Sequence, residues 1–270
     1  MVELNKKYQI GVRRFGVINW IGFKSLWLKE CNRFLIVWQQ TLLSPLVSSL
    51  LFLSVLSLAL GNNRDDVLGY SFISFLAPGL IAMSILTQSF SHSVSSLMIS
   101  KIQGNIVDML YAPLSALEVS MAIILAAITR SFLIAIISIV VFSLIVDMSF
   151  YNIFYIFIYS FLGSFILGSL GFITGLWAEK FDHTATITNF VITPLSFLSG
   201  AFYSIEKLPE FFKTISYMNP FFYMIDGFRY GFLGVSDGSI SFGIIYLLIL
   251  SFVIGFLAYY LYKVGYKIKS

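Results

Sequence analysis

Between Phe34 and Asn63 the chain carries no charged residue, and five further stretches are nearly as apolar. Runs of about 18 or more apolar residues read as membrane-spanning helices. Lipid offers backbone N–H and C=O groups no partners, so a spanning segment must satisfy them internally. Only 11% of the residues are charged, against roughly 25% in a soluble domain. That deficit excludes most soluble readings. Six spans are expected, at 42–60, 72–90, 119–146, 153–177, 185–202 and 242–262, with Pro45 in the opening turn of the first, where proline costs little.

Twelve of the seventeen Lys and Arg residues fall in one set of connecting segments, Lys24, Lys29, Arg33, Lys101 and Lys180 among them. Four (Arg64, Lys207, Lys213 and Arg229) fall in the opposite set. The positive-inside bias then places both termini in the cytoplasm. The first long apolar run starts too late for a secretory signal, so the N-terminus is expected to stay. Cys31 is the single cysteine, which rules out an intrachain disulfide. His92 and His183 stand far apart without a nearby cysteine, so no metal site is expected. Nothing marks a second domain: 1–34 reads as a cytoplasmic N-terminus, and 35–270 as one membrane domain. The sequence lacks a G-x-x-x-x-G-K-[ST] loop, so it has no cradle of that kind for ATP phosphates.

Four segments do more than span. Residues 15–34 interleave Trp, Phe and Leu with Lys24, Lys29, Glu30 and Arg33, as an amphipathic helix on the inner membrane surface would; a basic topology anchor is the plain alternative. The inner connection at 96–119 is longer than a link requires. In it Ile102, Ile106, Met109 and Leu110 recur at near-helical spacing, with Lys101, Gln103, Asn105 and Asp108 between, until Ala112-Pro113 breaks the helix. That is either a docking surface for a soluble partner or a surface connector. Arg130 lies inside the third span, at a cost of roughly 2.5–3.5 kcal/mol at mid-membrane. It either lines a polar path or is held structurally by backbone carbonyls or by serines such as Ser131 and Ser138. In the fourth span Ser160, Ser164, Gly168, Gly171 and Gly175 share a face, suiting close helix packing within the subunit or across a dimer.

The stretch "NPFFYMIDGFRYGFLG" (residues 219–234) is too interrupted to span. Asn219-Pro220 can start a helix. Asp226 and Arg229, three apart, can pair on one face. Gly227, Gly231 and Gly234 are expected to loosen the helix and then end it. The pattern predicts a helix that enters the membrane without crossing it and caps or gates a polar path, or else an inert surface hairpin.

Ile192, Leu198 to Gly200, Leu208-Pro209, Asn219-Pro220 and Tyr223 to Arg229 stand at spacings that resemble the signature of the ABC-2 type transporter permeases. The resemblance extends over essentially the full length. It implies an all-α membrane protein with six spans, an N-terminal amphipathic interface helix at 15–34, and a re-entrant element before the last span. It further implies a transport subunit rather than an enzyme. Such a subunit has no catalytic residue and no cofactor of its own, and Mg-ATP is bound by a separate ABC ATP-binding subunit. A second permease copy, in a homodimer or a heterodimer, completes the unit in the bacterial inner membrane, and no nucleic acid is a partner. By resemblance, 100–111 is the coupling helix, with Ile102, Ile106, Asp108, Met109 and Leu110 toward the ATPase. Asn219, Pro220, Tyr223, Asp226 and Arg229 belong to the gate element. Family substrates include polysaccharides, lipo-oligosaccharides, drugs and haem-linked compounds, and no residue selects among them. The alternative is an ion-coupled transporter or channel without an ATPase. Such proteins often place carboxylates deep in spans and repeat their halves, and neither feature is visible here.

Overall fold

The apolar runs form helices throughout the described residues, 18–60 and 66–268, of a computed structural model. No strand occurs among them. The order is α1 (Trp20–Ile36), a π-helical turn (Gln39–Leu43) continuing into α2 (Ser44–Leu60), α3 (Phe72–Ile102), α4 (Ile106–Tyr111), α5 (Ala116–Ser143) and α6 (Ile153–Trp177). Then come α7 (Phe181–Ile187), a second π-helical turn (Thr188–Ile192), α8 (Thr193–Phe197), α9 (Glu210–Met218), α10 (Pro220–Leu233) and α11 (Ile240–Lys263). Of the segment 15–34, residues 15–17 lie outside the described residues, as do 61–65.

Five of the described helices are long and apolar enough to cross a membrane: Gln39–Ala59, Phe72–Ile102, Ala116–Ser143, Ile153–Trp177 and Ile240–Lys263. The segment expected to span at 185–202 is instead divided. Helical pieces of seven, five and five residues run on from Phe181 to Phe197. At 1.5 Å per residue they reach about 25 Å, short of the roughly 30 Å hydrocarbon core. Pro194 stands beside the π-helical turn because it cannot donate to the ladder. Pro45 sits likewise, one residue into α2 after the first π-helical turn, and so inside a continuous helix rather than at its start.

α3 lies at the centre, packed on α6, α5, α10 and α2, whereas α2 and α11 are peripheral. Two-thirds of the apolar window of α3 is buried, against 17% for α2 and α11. The small-residue face of α6 explains the closest contact. A Cβ on Gly171 would stand 2.4 Å from the Phe90 carbonyl oxygen, and one on Gly175 2.9 Å from Leu97 Cβ. Ser89 Oγ on α3 donates to the Ser164 carbonyl at 2.6 Å. This face therefore packs within the subunit. The expected coupling helix at 100–111 is shorter than the periodicity suggested. α3 runs on to Ile102, Gly104 turns the chain at φ +76°, and only Ile106–Tyr111 forms α4.

Candidate functional site

Asn219 opens α10: its side chain accepts from Phe221 N and donates to the Leu195 carbonyl at 2.7 Å, tying the helix start to α8. Pro220 at the first position gives up a donor that no helix would use there. Fourteen residues make about 21 Å, too short to cross the membrane. Most of its side chains are nonetheless buried, against α6, α3 and α11. Its last carbonyls are accounted for one by one. Tyr151 N and Ser149 Oγ donate to Phe232, Asn152 N to Gly231, and Tyr70 Oη to Leu233 at 2.6 Å. A buried helix end requires such partners.

Gly227 and Gly231 do not loosen α10. They admit the neighbouring helix: a Cβ on Gly227 would fall 2.1 Å from Cζ of Tyr159, and one on Gly231 2.5 Å from Ile156. Gly234 ends the helix at φ +73° as expected. Tyr223 packs its ring on Phe222, Phe242 and Tyr246 and is largely buried.

Asp226 and Arg229 form no ion pair among the described residues. Each holds a different piece of backbone. Arg229 donates to the Gly200 carbonyl at 2.7 Å and the Ala201 carbonyl at 3.3 Å. Asp226 accepts from Asp237 N and Gly238 N, each at 3.0 Å. Asp237 then accepts from Ser204 Oγ at 2.6 Å and Ile205 N at 3.1 Å. The hairpin at 199–205 is thus gripped by Arg229 on one side and by the Asp226–Asp237 relay on the other. Gly79 on α3 leaves room for this grip, since its Cβ would meet the Ala201 oxygen at 2.4 Å. Helical spacing alone suggested the pair; buried unpaired carbonyls and N–H groups outbid it, because leaving them bare costs about 1–3 kcal/mol each.

Beside this hairpin a cavity of about 380 Å³ opens between α2, α3 and α8. Its lining mixes Gln40, Ser44, Ser48, Ser84, Thr87 and Gln88 with the rings of Phe52, Phe197 and Phe202, and includes no charged side chain. Arg130 lies behind it, mostly buried, and donates to Gln88 Oε1 and to the Thr41 carbonyl. Pro45 has no N–H to return to that carbonyl four residues back, so the arginine reaches an oxygen that proline leaves open. Neither Ser131 nor Ser138 is its partner; Ser131 bonds to Ile85 and Ala127. A second cleft, of about 390 Å³ between α5, α6 and α11, is lined chiefly by Phe, Leu and Met side chains and suits contact with lipid tails.

At the opposite end, α4 turns Ile106 and Met109 inward, each 5% exposed, against Leu26 of α1 and Val119 and Ile123 of α5. They anchor the helix and cannot face a partner. Ile102, Asp108 and Leu110 are exposed, together with Val107 and Tyr111, which the spacing argument did not single out. Sequence reasoning also missed Glu30, buried on α1, which accepts from Ser96 Oγ at 2.8 Å and pairs with Arg33 at 2.9 Å. His92 lies 3.9 Å from the same carboxylate oxygen. No sequence pattern links residues 30 and 92; only the side-chain reach from α1, which packs on α5, across to α3 does. Among the described residues no cluster of His, Cys, Asp or Glu could hold a metal ion. Nearby, Lys267 donates to Glu179 at 3.0 Å; that bond holds the Glu179 carboxyl below its usual range and the Lys267 ammonium above its own.

The sequence has counterparts among known proteins. The ABC-2 type transporter family matches residues 21–233, from α1 to the end of α10. The inner membrane transport permease YadH of Escherichia coli strain K12 is 32% identical over 235 residues, covering 86% of this chain and 92% of the relative. Nodulation protein J of Rhizobium leguminosarum bv. trifolii is 28% identical over 225 residues, and that of Neorhizobium galegae 24% over 220, each covering 81% of this chain and 83% of the relative. The matched span contains the buried α10, the gripped hairpin, the polar cavity and α4, and the chain belongs to the ABC-2 type transporter family as a membrane permease of an ABC transporter.

Proposed function

We propose that this chain is the membrane half of an ATP-driven exporter of the bacterial inner membrane. It works with a separate ATP-binding subunit that holds Mg-ATP and with a second permease copy, most simply an identical one, with both termini cytoplasmic. The observation that carries this reading is α4. A six-residue helix between two long spans is anchored by Ile106 and Met109 and offers Val107, Asp108, Leu110 and Tyr111 to a partner. The missing phosphate-binding loop supports a motor on another chain. The uncharged polar cavity at α2, α3 and α8 supports a substrate path, since side chains of that kind are costly facing lipid. In this reading the gripped hairpin beside it, with Asn219, Pro220, Tyr223, Asp226 and Arg229 as its framework, gates that path.

The test is co-expression of the tagged permease with ABC ATP-binding subunits from the same cell. Co-purification and ATP turnover in the reconstituted complex are expected. Substrate movement driven by an ion gradient in vesicles holding this chain alone would establish the ion-coupled alternative.

A further inference from the structure

One carboxylate closes the beginnings of two helices. Glu118 Oε2 accepts from Ser115 N at 2.6 Å, which with the Glu118 N to Ser115 Oγ bond makes the capping box of α5. Its Oε1 accepts from Asn19 N at 2.5 Å, at the residue that caps α1. Asn19 Nδ2 in turn donates to the Pro113 carbonyl at 3.0 Å. The link from α4 to α5, residues 112–115, is thereby bonded to the start of α1 directly at Pro113 and, through the Glu118 carboxylate, at Ser115. Glu118 and Asn19 are each 2% exposed, and bonds of an N–H to a carboxylate are about twice as strong as neutral ones. Farther along α1, Glu30 and Arg33 bond to Ser96 and to the His92 carbonyl of α3.

We propose that Glu118 is a positioning residue of the transport cycle. It makes α4 and α1 move as one lever, so that a displacement imposed on α4 reaches α3, the helix that walls the polar cavity and carries Gly79. This rests on the proposed docking of an ATP-binding subunit at α4. Glutamine cannot replace the carboxylate: its amide has one acceptor oxygen, and its NH₂ would face the second N–H.

The experiment uses the assembled complex in lipid nanodiscs, with Cys31→Ser and spin labels on cysteines at Lys24 of α1 and Asn105 at the start of α4. The wild-type distance is expected to be narrow and identical in the nucleotide-free and the ADP–vanadate-trapped states. Glu118→Gln is expected to lose that single distance and to make it depend on state while ATP hydrolysis continues. Ser115→Ala weakens the cap but keeps the carboxylate bridge, and should read as wild type, which separates lost rigidity from lost stability. A complex that hydrolyses ATP yet changes its wild-type distance between states overturns the proposal, whether or not Glu118→Gln folds. So does a Glu118→Gln distance that stays narrow in both states. A wild-type chain that recruits no ATP-binding subunit overturns the proposed function and this inference together.

Discussion

The guanidinium carbon of Arg229 stands 3.7 Å from the centroid of the Phe75 ring, so the arginine stacks α10 on α3 while its Nη2 holds the 199–205 hairpin. A desolvated stack of this kind is worth about 2 kcal/mol or more. The cation therefore joins three parts of the fold at once: two helices and the hairpin beside the polar cavity.

Replacing Arg229 should act on the hairpin first. Arg229→Ala leaves two buried carbonyls unbonded and an empty site under Phe75, at about 1–3 kcal/mol for each bare carbonyl. We expect faster proteolysis within 199–209 and a lower yield. Arg229→Lys keeps a charge but loses the planar fork, and should restore yield in part without restoring wild-type protection. Wild-type proteolysis rates in Arg229→Ala would refute the grip.

Gly227 tests the contact between α10 and α6. Gly227→Ala sets a methyl into the Tyr159 ring, and overpacking of that order costs about 1–3 kcal/mol. The midpoint of thermal unfolding in detergent should fall. Tyr159→Leu in the same chain should recover part of the loss, because the ring is what the methyl meets. Two additive losses would mean that the clash is elsewhere.

The faces of α4 separate docking from folding. Val107→Asp with Tyr111→Asp should abolish co-purification of the ATP-binding subunit while the permease keeps its yield and elution volume. Ile106→Asp should instead lose the folded permease, because it buries a carboxylate against Leu26 and Val119. Equal behaviour of the two variants would remove the distinction between an outward and an anchoring face.

Arg130 is expected to serve the framework rather than meet the substrate. Arg130→Met strips the donor from the Thr41 carbonyl left open by Pro45, so yield and transport should drop together, measured per folded molecule by fluorescence-detected chromatography. Restoring a partner by Pro45→Ala should return yield in the Arg130→Met background. Normal yield with lost transport would instead make Arg130 part of the path.

The Glu179–Lys267 bond predicts a pH window. The lowered Glu179 carboxyl contributes above its ordinary value of 4.5 and loses that contribution as pH falls through its folded value. The raised Lys267 ammonium contributes below 10.5 and loses that contribution as pH rises through its folded value. Between those limits the bond is intact, yet both partners are exposed and solvent screens them. Glu179→Gln should leave the thermal midpoint unchanged at pH 7, and a clear drop would show that the bond anchors the end of the chain.

Sequence alone determined the helical membrane class, because an uncharged run such as 34–63 leaves a chain in lipid no other way to satisfy its backbone. It also located α6 at Ile153–Trp177, the start of α10 at Asn219-Pro220 and its end at Gly234, since caps and prolines act on adjacent residues. Ser115 and Glu118 stand at capping-box spacing, a signal for half of the Glu118 network that the sequence reading did not take up. Its other half, the reach to Asn19, was not legible in the sequence. Nor was the separation of Asp226 from Arg229, the inward turn of Ile106 and Met109, or the breaking of the segment at 185–202. Each of these depends on which distant backbone group lacks a partner once the helices pack: Gly200 for Arg229, Thr41 for Arg130, Asn19 for Glu118. Periodicity reports which face of a helix is apolar, but bonds between residues 28 to 99 positions apart exist only after α1, α3, α5 and α10 have taken their places.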